Sequence, residues 1–192
     1  MKKPVDSSVP LHPLINERWS PRSFDNSSAI SEEDFKAILE AGRWAPSANN
    51  AQPWRYVVAK RGDANFEKLA KTFSGFNAMW APTASAFVLV ASVKTNAEGD
   101  ANPYAEFDSG LSAAYMTFEA IHRGFAVHQI AGFDKDQVKK DFALAENIAP
   151  MAILIIGKQA PVESLTDATL VEREKAPRVR LPLSEIIVGG DQ

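Results

Sequence analysis

The chain contains no cysteine, so it can form no disulfide bond, thiolate nucleophile or cysteine-ligated iron–sulfur cluster. It also lacks long apolar stretches, since the longest, over 86–91 and 151–156, are too short to cross a bilayer. The first residues, MKKPVDSSVPLHP, include two lysines but no apolar core of a signal peptide. These absences predict a cytoplasmic protein that has no membrane partner.

Several short motifs of common enzyme classes are missing as well. There is no G-x-G-x-x-G, Walker loop or G-x-S-x-G, so no Rossmann unit is predicted to hold a nicotinamide cofactor. His12, His122 and His128 lack metal-ligand spacing, so we predict no metal site and interpret them as core or hydrogen-bonding residues. A net charge of −3 without a basic aromatic surface motif argues against nucleic-acid binding.

The length of 192 residues favours one domain over 1–192, with short tails at 1–10 and 189–192. Hydrophobic periodicity and turn residues predict helices over 11–18, 31–43, 63–72, 103–123 and 135–145. The same signals predict strands over 54–60, 85–93, 125–130 and 151–157, and leave 159–177 as a polar stretch. Because helices and strands interleave without clean βαβ repeats, we expect an α+β sandwich with a mixed sheet.

Two features suggest contact with a second subunit. The helix over 103–123 is apolar nearly all round, with one stripe formed by Tyr104, Phe107, Leu111, Tyr115 and Phe118. Such a helix is expected to be buried, either in the core or against another subunit. The strand-like residues 186–188 have no obvious partner nearby in sequence, and could add to another subunit's sheet edge.

Two pairs of arginines are candidates for binding an anion. Arg18 and Arg22 flank Ser20, and guanidinium and hydroxyl groups suit a phosphate or a polarised carbonyl. Arg178 and Arg180 lie two apart in an extended segment, which places both side chains on one face, where they could bind a dianion together. Taken alone, either pair is equally compatible with a solvated surface or a solubilising tail.

The segment over 46–54, PSANNAQPW, is rich in amide side chains between two prolines. Amides donate and accept hydrogen bonds together, so they match the edge of a pyrimidine-like ring or a ribityl chain. The alternative is an ordinary capping loop before a strand, in which the amides bond the backbone.

Five segments, in chain order, resemble the nitroreductase-type flavoproteins, which bind FMN at a homodimer interface. These segments are 18–24 (RWSPRSF), 45–54 (APSANNAQPW), 77–82 (NAMWAP), 124–134 (GFAVHQIAGFD) and 178–183 (RVRLPL). The resemblance implies a three-layer α-β-α sandwich around a mixed, mostly antiparallel sheet, with the C-terminal strand exchanged between subunits. One departure is Trp80, which stands where some members carry a lysine beside the flavin.

The resemblance also implies a set of FMN-binding residues. They are Arg18, Trp19, Ser20, Arg22, Pro46, Ser47, Ala48, Asn50, Gln52, Asn77, Gln129, Ala131, Gly132, Arg178 and Arg180. The arginines and serine of the first and last segments would hold the phosphate and ribityl end, and the residues over 46–50 would come from the other subunit. Asn77 would bond the pyrimidine edge, and Gln129 to Gly132 would line the flavin near N5 and O4. Arg22 would lie at the N1–C2 edge as an electrostatic tuner, with no catalytic side chain needed.

The implied activity is two-electron transfer from NADPH or NADH through flavin N5 to a nitroaromatic, a quinone or a similar small-molecule acceptor, by a ping-pong mechanism. Two alternatives stay open. One is an FMN oxidase or dehydrogenase with a dedicated metabolite as reductant. The other is a non-catalytic flavin-binding or flavin-sensing protein.

Overall fold

Four strands form the central sheet: β1 (Trp54–Lys60), β2 (Ala86–Val93), β3 (Ala126–Ile130) and β4 (Ile148–Gly157). They lie in the order β1-β2-β4-β3, and each neighbouring pair is antiparallel. The structure, a computed structural model, describes residues 2–96 and 98–190. Within these residues the sheet is antiparallel throughout rather than mixed, because no strand forms after β4 to add a parallel neighbour.

Residues 2–96 and 98–190 contain eight α-helices. They are α1 (Pro13–Glu17), α2 (Glu32–Arg43), α3 (Ala64–Thr72), α4 (Asn77–Trp80), α5 (Ala105–His122), α6 (Lys135–Asp141), α7 (Ala168–Lys175) and α8 (Leu183–Ile186). Capping residues set several starts, as where the Ser31 hydroxyl accepts a hydrogen bond from the Asp34 amide at the N-terminus of α2. Over the described part of the chain, no helix has both the length and the apolar character needed to span a bilayer.

A hydrophobic core lies on each face of the sheet, which gives the three predicted layers. On one face, Phe66 and Leu69 of α3 and Val138 of α6 pack against the sheet. On the other face, α2 and α5 cover it, with Ile38 and Met116 fully buried. Strand β2 is buried along nearly its whole length, as its run of apolar residues without alternation predicts. The fold is therefore α+β, with helices on both faces of an antiparallel sheet.

In the single chain, helix α5 turns its small and polar residues inward and its aromatic stripe outward. The residues turned inward are mostly small or polar, including Ser109, Ser112 and Ala113. The aromatic stripe lies on the outer side, where Phe107 is 69% and Tyr104 is 57% exposed. The close approach of α2 explains which residues of α5 face inward, because a Cβ atom on Gly42 would lie only 2.6 Å from the Cγ atom of Met116. Bulky aromatic rings do not fit at so close a contact.

The region after β4 departs most from the predicted elements. Helix α7 forms inside the stretch predicted as polar, and residues 183–186 form a short helix where a strand was expected nearby. In the single chain, residues 186–188 form no strand and Val188 is fully exposed, so the addition of this segment to another subunit's sheet stays a prediction. Of the predicted tail over 189–192, residues 191 and 192 lie outside the described residues, and 189 and 190 are exposed.

The predicted N-terminal tail makes specific contacts. The Lys3 ammonium donates to the carbonyl of Ala176 at 2.6 Å, and the Val5 amide donates to Oδ1 of Asn16 at 3.1 Å. These bonds bring the two ends of the chain together. Residue 1 lies outside the described residues.

Candidate functional site

Three arginines from opposite ends of the chain meet beside the N-terminal segment. Arg18 is half-buried, and burial lowers the pKa of its guanidinium, which Arg178 and Arg180 lower further by charge repulsion. Arg178 is fixed by hydrogen bonds to the carbonyls of Asn16 at 2.7 Å and Lys3 at 2.9 Å. Like charges held this close repel each other, so a bound anion would relieve the repulsion. We call these three arginines the basic cluster.

The segment that carries Arg18 adds unpaired backbone donors to the basic cluster. Arg18 donates to the Ser20 hydroxyl at 3.3 Å, and the Lys3 ammonium lies 4.3 Å from the centre of the Trp19 ring. The amides of Trp19 and Ser20 donate no hydrogen bond to any described residue. A cavity of about 400 Å³ opens here, lined in part by Lys3, Arg18, Trp19 and Phe125. Free amides next to guanidinium groups are the donors that a phosphate group takes.

Arg22 is held by its backbone, which leaves its side chain available. Its amide donates to Oε2 of Glu174 at 2.8 Å, and the next amide, that of Ser23, donates to Oε1 at 3.3 Å. The Arg22 guanidinium makes no hydrogen bond or ion pair with residues 2–96 or 98–190. Burial lowers its pKa, whereas the charge of Glu174 raises it. Glu174 was not among the residues predicted from the sequence.

Edge strand β3 joins this segment to the rest of the site. His128 forms a 2.9 Å hydrogen bond from Nδ1 to the Pro21 carbonyl, and its ring stacks on Trp80 with the centroids 4.6 Å apart. Burial lowers the pKa of His128 to about 4, so the ring is neutral at pH 7 and Nδ1 carries the proton that the carbonyl accepts. Gln129 points to the opposite face, where its Nε2 donates to the hydroxyl of Thr117 at 2.9 Å. This environment agrees with the interpretation of His128 as a core or hydrogen-bonding residue.

The turn after β3 presents two exposed amides beside Asn77. The Nδ2 atom of Asn77 donates to the Gly132 carbonyl at 3.2 Å, as does the amide of Ser74 at 3.3 Å. A side chain at Gly132 would collide with Asn77, because an added Cβ atom would lie 2.8 Å from Nδ2. The amides of Ala131 and Gly132 bond nothing in the described part of the chain. They are therefore free to donate to a ligand.

Trp80 does not line the site surface, although the resemblance aligns it with a lysine beside the flavin. It is 1% exposed and lies between the rings of Phe24 and His128 in the core. Its indole N–H has no hydrogen-bond partner among the residues described. Its effect on a bound ligand is therefore confined to packing beneath the 18–24 segment.

The residues over 46–52, which we call the asparagine loop, adopt an unusual backbone. Asn49, Asn50 and Gln52 have φ angles of 51°, 55° and 48°. Asparagine tolerates this left-handed region better than most residues, and glutamine less well. The conformation is held by the Gln52 amide, which donates to the Ser47 hydroxyl at 3.0 Å, and by the Gln52 side chain, which donates to the Asn50 carbonyl. Strained loops of this kind concentrate at functional sites.

Within one chain, the asparagine loop and the basic cluster lie at opposite ends of α5. The Ala48 amide donates to buried Asp108, near the start of this helix, at 3.1 Å. The cavity beside Arg18 and Trp19 is lined by Ile121, near its end. At 1.5 Å per residue, these two positions on α5 are about 20 Å apart. Arg18, Arg178 and Arg180 therefore lie together, the contact from His128 to Pro21 ties the 18–22 segment to β3, and Asn77 contacts Gly132 just after β3. The side chain of Gln129 points toward Thr117 of α5, and residues 46, 47, 48, 50 and 52 lie near the start of that helix.

Comparison with known proteins gives a consistent result. A model of the nitroreductase family matches residues 15–158. The chain is 31% identical over 144 residues to the "Uncharacterized 15.4 kDa protein in ask 5'region" of Mycolicibacterium smegmatis, covering 71% of this chain and 95% of that protein. It is 28% identical over 184 residues to the Bacillus subtilis protein named "Putative NAD(P)H nitroreductase YdgI", covering 77% of this chain and 87% of that protein.

A solved structure shares the whole fold. The crystal structure described as that of "the oxidoreductase containing FMN" superposes with a TM-score of 0.90 at 31% sequence identity, covering 97% of this chain and 94% of the other. The family match spans the first basic segment, the asparagine loop and all four strands. This chain belongs to the nitroreductase family.

Proposed function

We propose that the protein is an FMN-dependent NAD(P)H oxidoreductase that passes two electrons to nitroaromatic, quinone or similar small acceptors. The observation that carries the proposal is the basic cluster, in which three guanidinium groups meet beside unpaired backbone amides. A phosphate dianion satisfies both the charge and the donors, and FMN carries such a group. The names of the relatives, an NAD(P)H nitroreductase and an FMN-containing oxidoreductase, agree with this choice.

The remaining groups of the site fit the rest of FMN. Arg18, Ser20, Arg178 and Arg180 hold the phosphate and ribityl end, together with the Trp19 amide. The free guanidinium of Arg22 lies at the N1–C2 edge of the ring system. Asn77, Gln129 and the amides of Ala131 and Gly132 meet the pyrimidine edge, N5 and O4. No step requires a nucleophile from the protein.

FMN, when bound, supplies the two-electron chemistry, taking electrons from NADH or NADPH and giving them to the acceptor. The residues of this chain supply binding, orientation and charge. Arg22 favours the added negative charge of the reduced cofactor, because an opposite charge nearby stabilises an anion. If reductant and acceptor bind in turn at one open face of the bound cofactor, the kinetics would be ping-pong.

A second copy of the chain completes the site. Pro46, Ser47, Ala48 and Asn50 reach the partner's FMN, with Gln52 close by, because their own basic cluster lies at the far end of α5. The exposed aromatic stripe of this helix provides an apolar surface for the contact. Residues 183–190 are all exposed, which is compatible with exchange of this segment between subunits.

The visible absorption spectrum of the purified protein tests the proposal, before and after addition of NADPH or NADH under argon. Flavin absorption that bleaches on addition is the expected result. Flavin absorption that both nicotinamides leave unchanged would point instead to a dedicated metabolite reductant or to a flavin-sensing protein. A colourless protein that also takes up no added FMN would overturn the proposal.

A further inference from the structure

Glu174 is a buried carboxylate at the junction of the two arginine-bearing segments. It lies in α7 and is 1% exposed. Its two oxygens accept the amides of Arg22 and Ser23, which are more than 150 residues away in sequence. Four residues after Glu174 the chain reaches Arg178 of the basic cluster. One side chain thereby links the N-terminal and C-terminal parts of the proposed site.

Stability alone does not account for this carboxylate. Removing a carboxylate from water costs several kcal/mol, and apolar residues often serve as well in a core. Glu174 forms no ion pair with the described residues that would offset this cost directly. Its negative charge instead acts on the nearby cations Lys3 and Arg22, and raises the pKa of each against the effect of burial. Glu174 therefore acts on the site in two ways, through its hydrogen bonds to the backbone at 22–23 and through its charge beside Arg22.

We propose that Glu174 is a positioning residue that fixes the backbone at Arg22 and offsets part of the Arg22 charge felt by bound FMN. The inference rests on the function proposed above. Glu174 accepts hydrogen bonds from the backbone amides and not from the guanidinium. It therefore fixes the backbone from which the Arg22 side chain extends and leaves the guanidinium donors free. The same carboxylate brings a negative charge close to the site, which weakens the preference for the more negative, reduced cofactor.

Three variants separate these effects. Glu174→Gln removes the charge and keeps one oxygen to accept an amide, whereas Glu174→Ala removes both acceptors. Glu172→Gln is the matched control, since Glu172 is an exposed carboxylate two residues earlier on the same helix. For each purified protein, circular dichroism checks the fold, fluorescence quenching gives the FMN dissociation constant, and a spectroelectrochemical titration gives the midpoint potential.

Glu174→Ala is expected to raise the FMN dissociation constant about tenfold or more, because the segment loses two hydrogen bonds to a charged acceptor. Glu174→Gln is expected to bind FMN better than Glu174→Ala, and to shift the midpoint potential upward. In an Arg22→Ala background the same upward shift is expected to persist, because the charge of Glu174 acts on the bound cofactor independently of the charge of Arg22. Glu172→Gln is expected to match the wild type in both measurements.

Other outcomes overturn the assignment. A folded Glu174→Gln protein with an unchanged or lowered potential rules out the charge offset, even where Glu174→Ala fails to fold. An upward shift that disappears when Arg22 is absent rules out a direct effect of the Glu174 charge on the cofactor. If wild-type protein binds FMN but the Glu174 variants behave like Glu172→Gln, only this inference fails. If wild-type protein takes up no FMN, the proposed function fails and this inference fails with it.

Discussion

Two titratable side chains, buried Glu174 and partly buried His128, hold the short stretch between Arg18 and Ser23. Glu174 binds its amides from one side, and His128 donates to its Pro21 carbonyl from the other. Glu174 belongs to no recognisable sequence motif, whereas His128 lies in the 124–134 segment that resembles the family. Their contacts hold the backbone of the segment that begins at half-buried Arg18.

His128 makes the stability of the protein depend on pH. Because burial lowers its pKa to about 4, below the ordinary value of 6.5, the unfolded chain binds a proton at this ring more readily than the folded chain. The resulting stability is therefore complete above about pH 6.5 and is lost as the pH falls toward 4. We expect this group to contribute a loss of up to about 3 kcal/mol in the free energy of unfolding.

Urea denaturation of FMN-free protein at pH 7 and at pH 4 measures this loss. His128→Gln keeps a donor but removes the titrating group, so the difference between the two proteins isolates the contribution of His128. Parallel pH dependence in wild type and variant would contradict the prediction.

The sequence identifies the charged residues of the site better than the groups that hold them. Arg18, Arg178 and Arg180 stand out because paired arginines near Ser or Pro suggest anion binding, and the structure brings them together. Glu174 lies in a run of alternating charges, VEREK, where nothing distinguishes the one carboxylate that turns inward. Its role depends on a contact across more than 150 residues, which local sequence does not encode.

Helices α2 and α5 pack at a distance that only glycine permits. A Cβ atom at Gly42 would approach Met116 Cγ to 2.6 Å, the Tyr56 hydroxyl to 2.9 Å and the Ser112 hydroxyl to 3.0 Å. These atoms belong to α5 and β1, so none moves without disturbing the core. Close packing here also explains why α5 turns its small residues inward and its aromatic rings outward.

Gly42→Ala is therefore expected to destabilise the protein by about 1–3 kcal/mol, although alanine favours a helix more than glycine does. Lys36→Ala, an exposed position on the same helix, is the control and is expected to change stability by less than about 0.5 kcal/mol. Chemical denaturation at one pH measures both. A Gly42→Ala protein as stable as the wild type would show that the two helices can separate without loss.

Regular elements with strong periodicity could be predicted, and those that depend on distant contacts could not. Strand β1 has the predicted bounds because WRYVVAK combines β-branched and aromatic residues between clear turns. Helix α7 was missed because only Leu170 and Glu174 are buried, which leaves almost no apolar pattern. The inward face of α5 could not be predicted, because the helix is apolar nearly all round and the space beside α2 decides which residues pack inward.

The chain as a single copy leaves a large apolar surface in water. Phe107 and Tyr115 of α5 are 69% and 44% exposed, and Tyr104, which caps the start of this helix, is 57% exposed. Contiguous exposed rings of this kind mark interaction surfaces in soluble proteins. Together with the separation between the asparagine loop and the basic cluster, they favour a two-fold dimer in which each FMN contacts both subunits.

Phe107→Glu should convert the protein to a monomer and abolish FMN binding together, because a buried carboxylate at the interface has no partner. Sedimentation equilibrium is expected to give twice the chain mass of 21.0 kDa for the wild type and the single chain mass for the variant. Lys140→Glu, a charge reversal on exposed helix α6, is the control and should remain dimeric. A monomeric variant that still binds FMN tightly would separate the dimer from the site.

The joining of the two chain ends has a consequence for how the protein is made. All four strands are complete by Gly157, whereas the contacts from Glu174 to Arg22 and from Arg178 to Lys3 span 152 and 175 residues. Loop-closure entropy makes such distant contacts late events in folding. A chain still emerging from the ribosome can therefore complete its sheet before its arginines meet, so the basic cluster would be assembled only after the sheet.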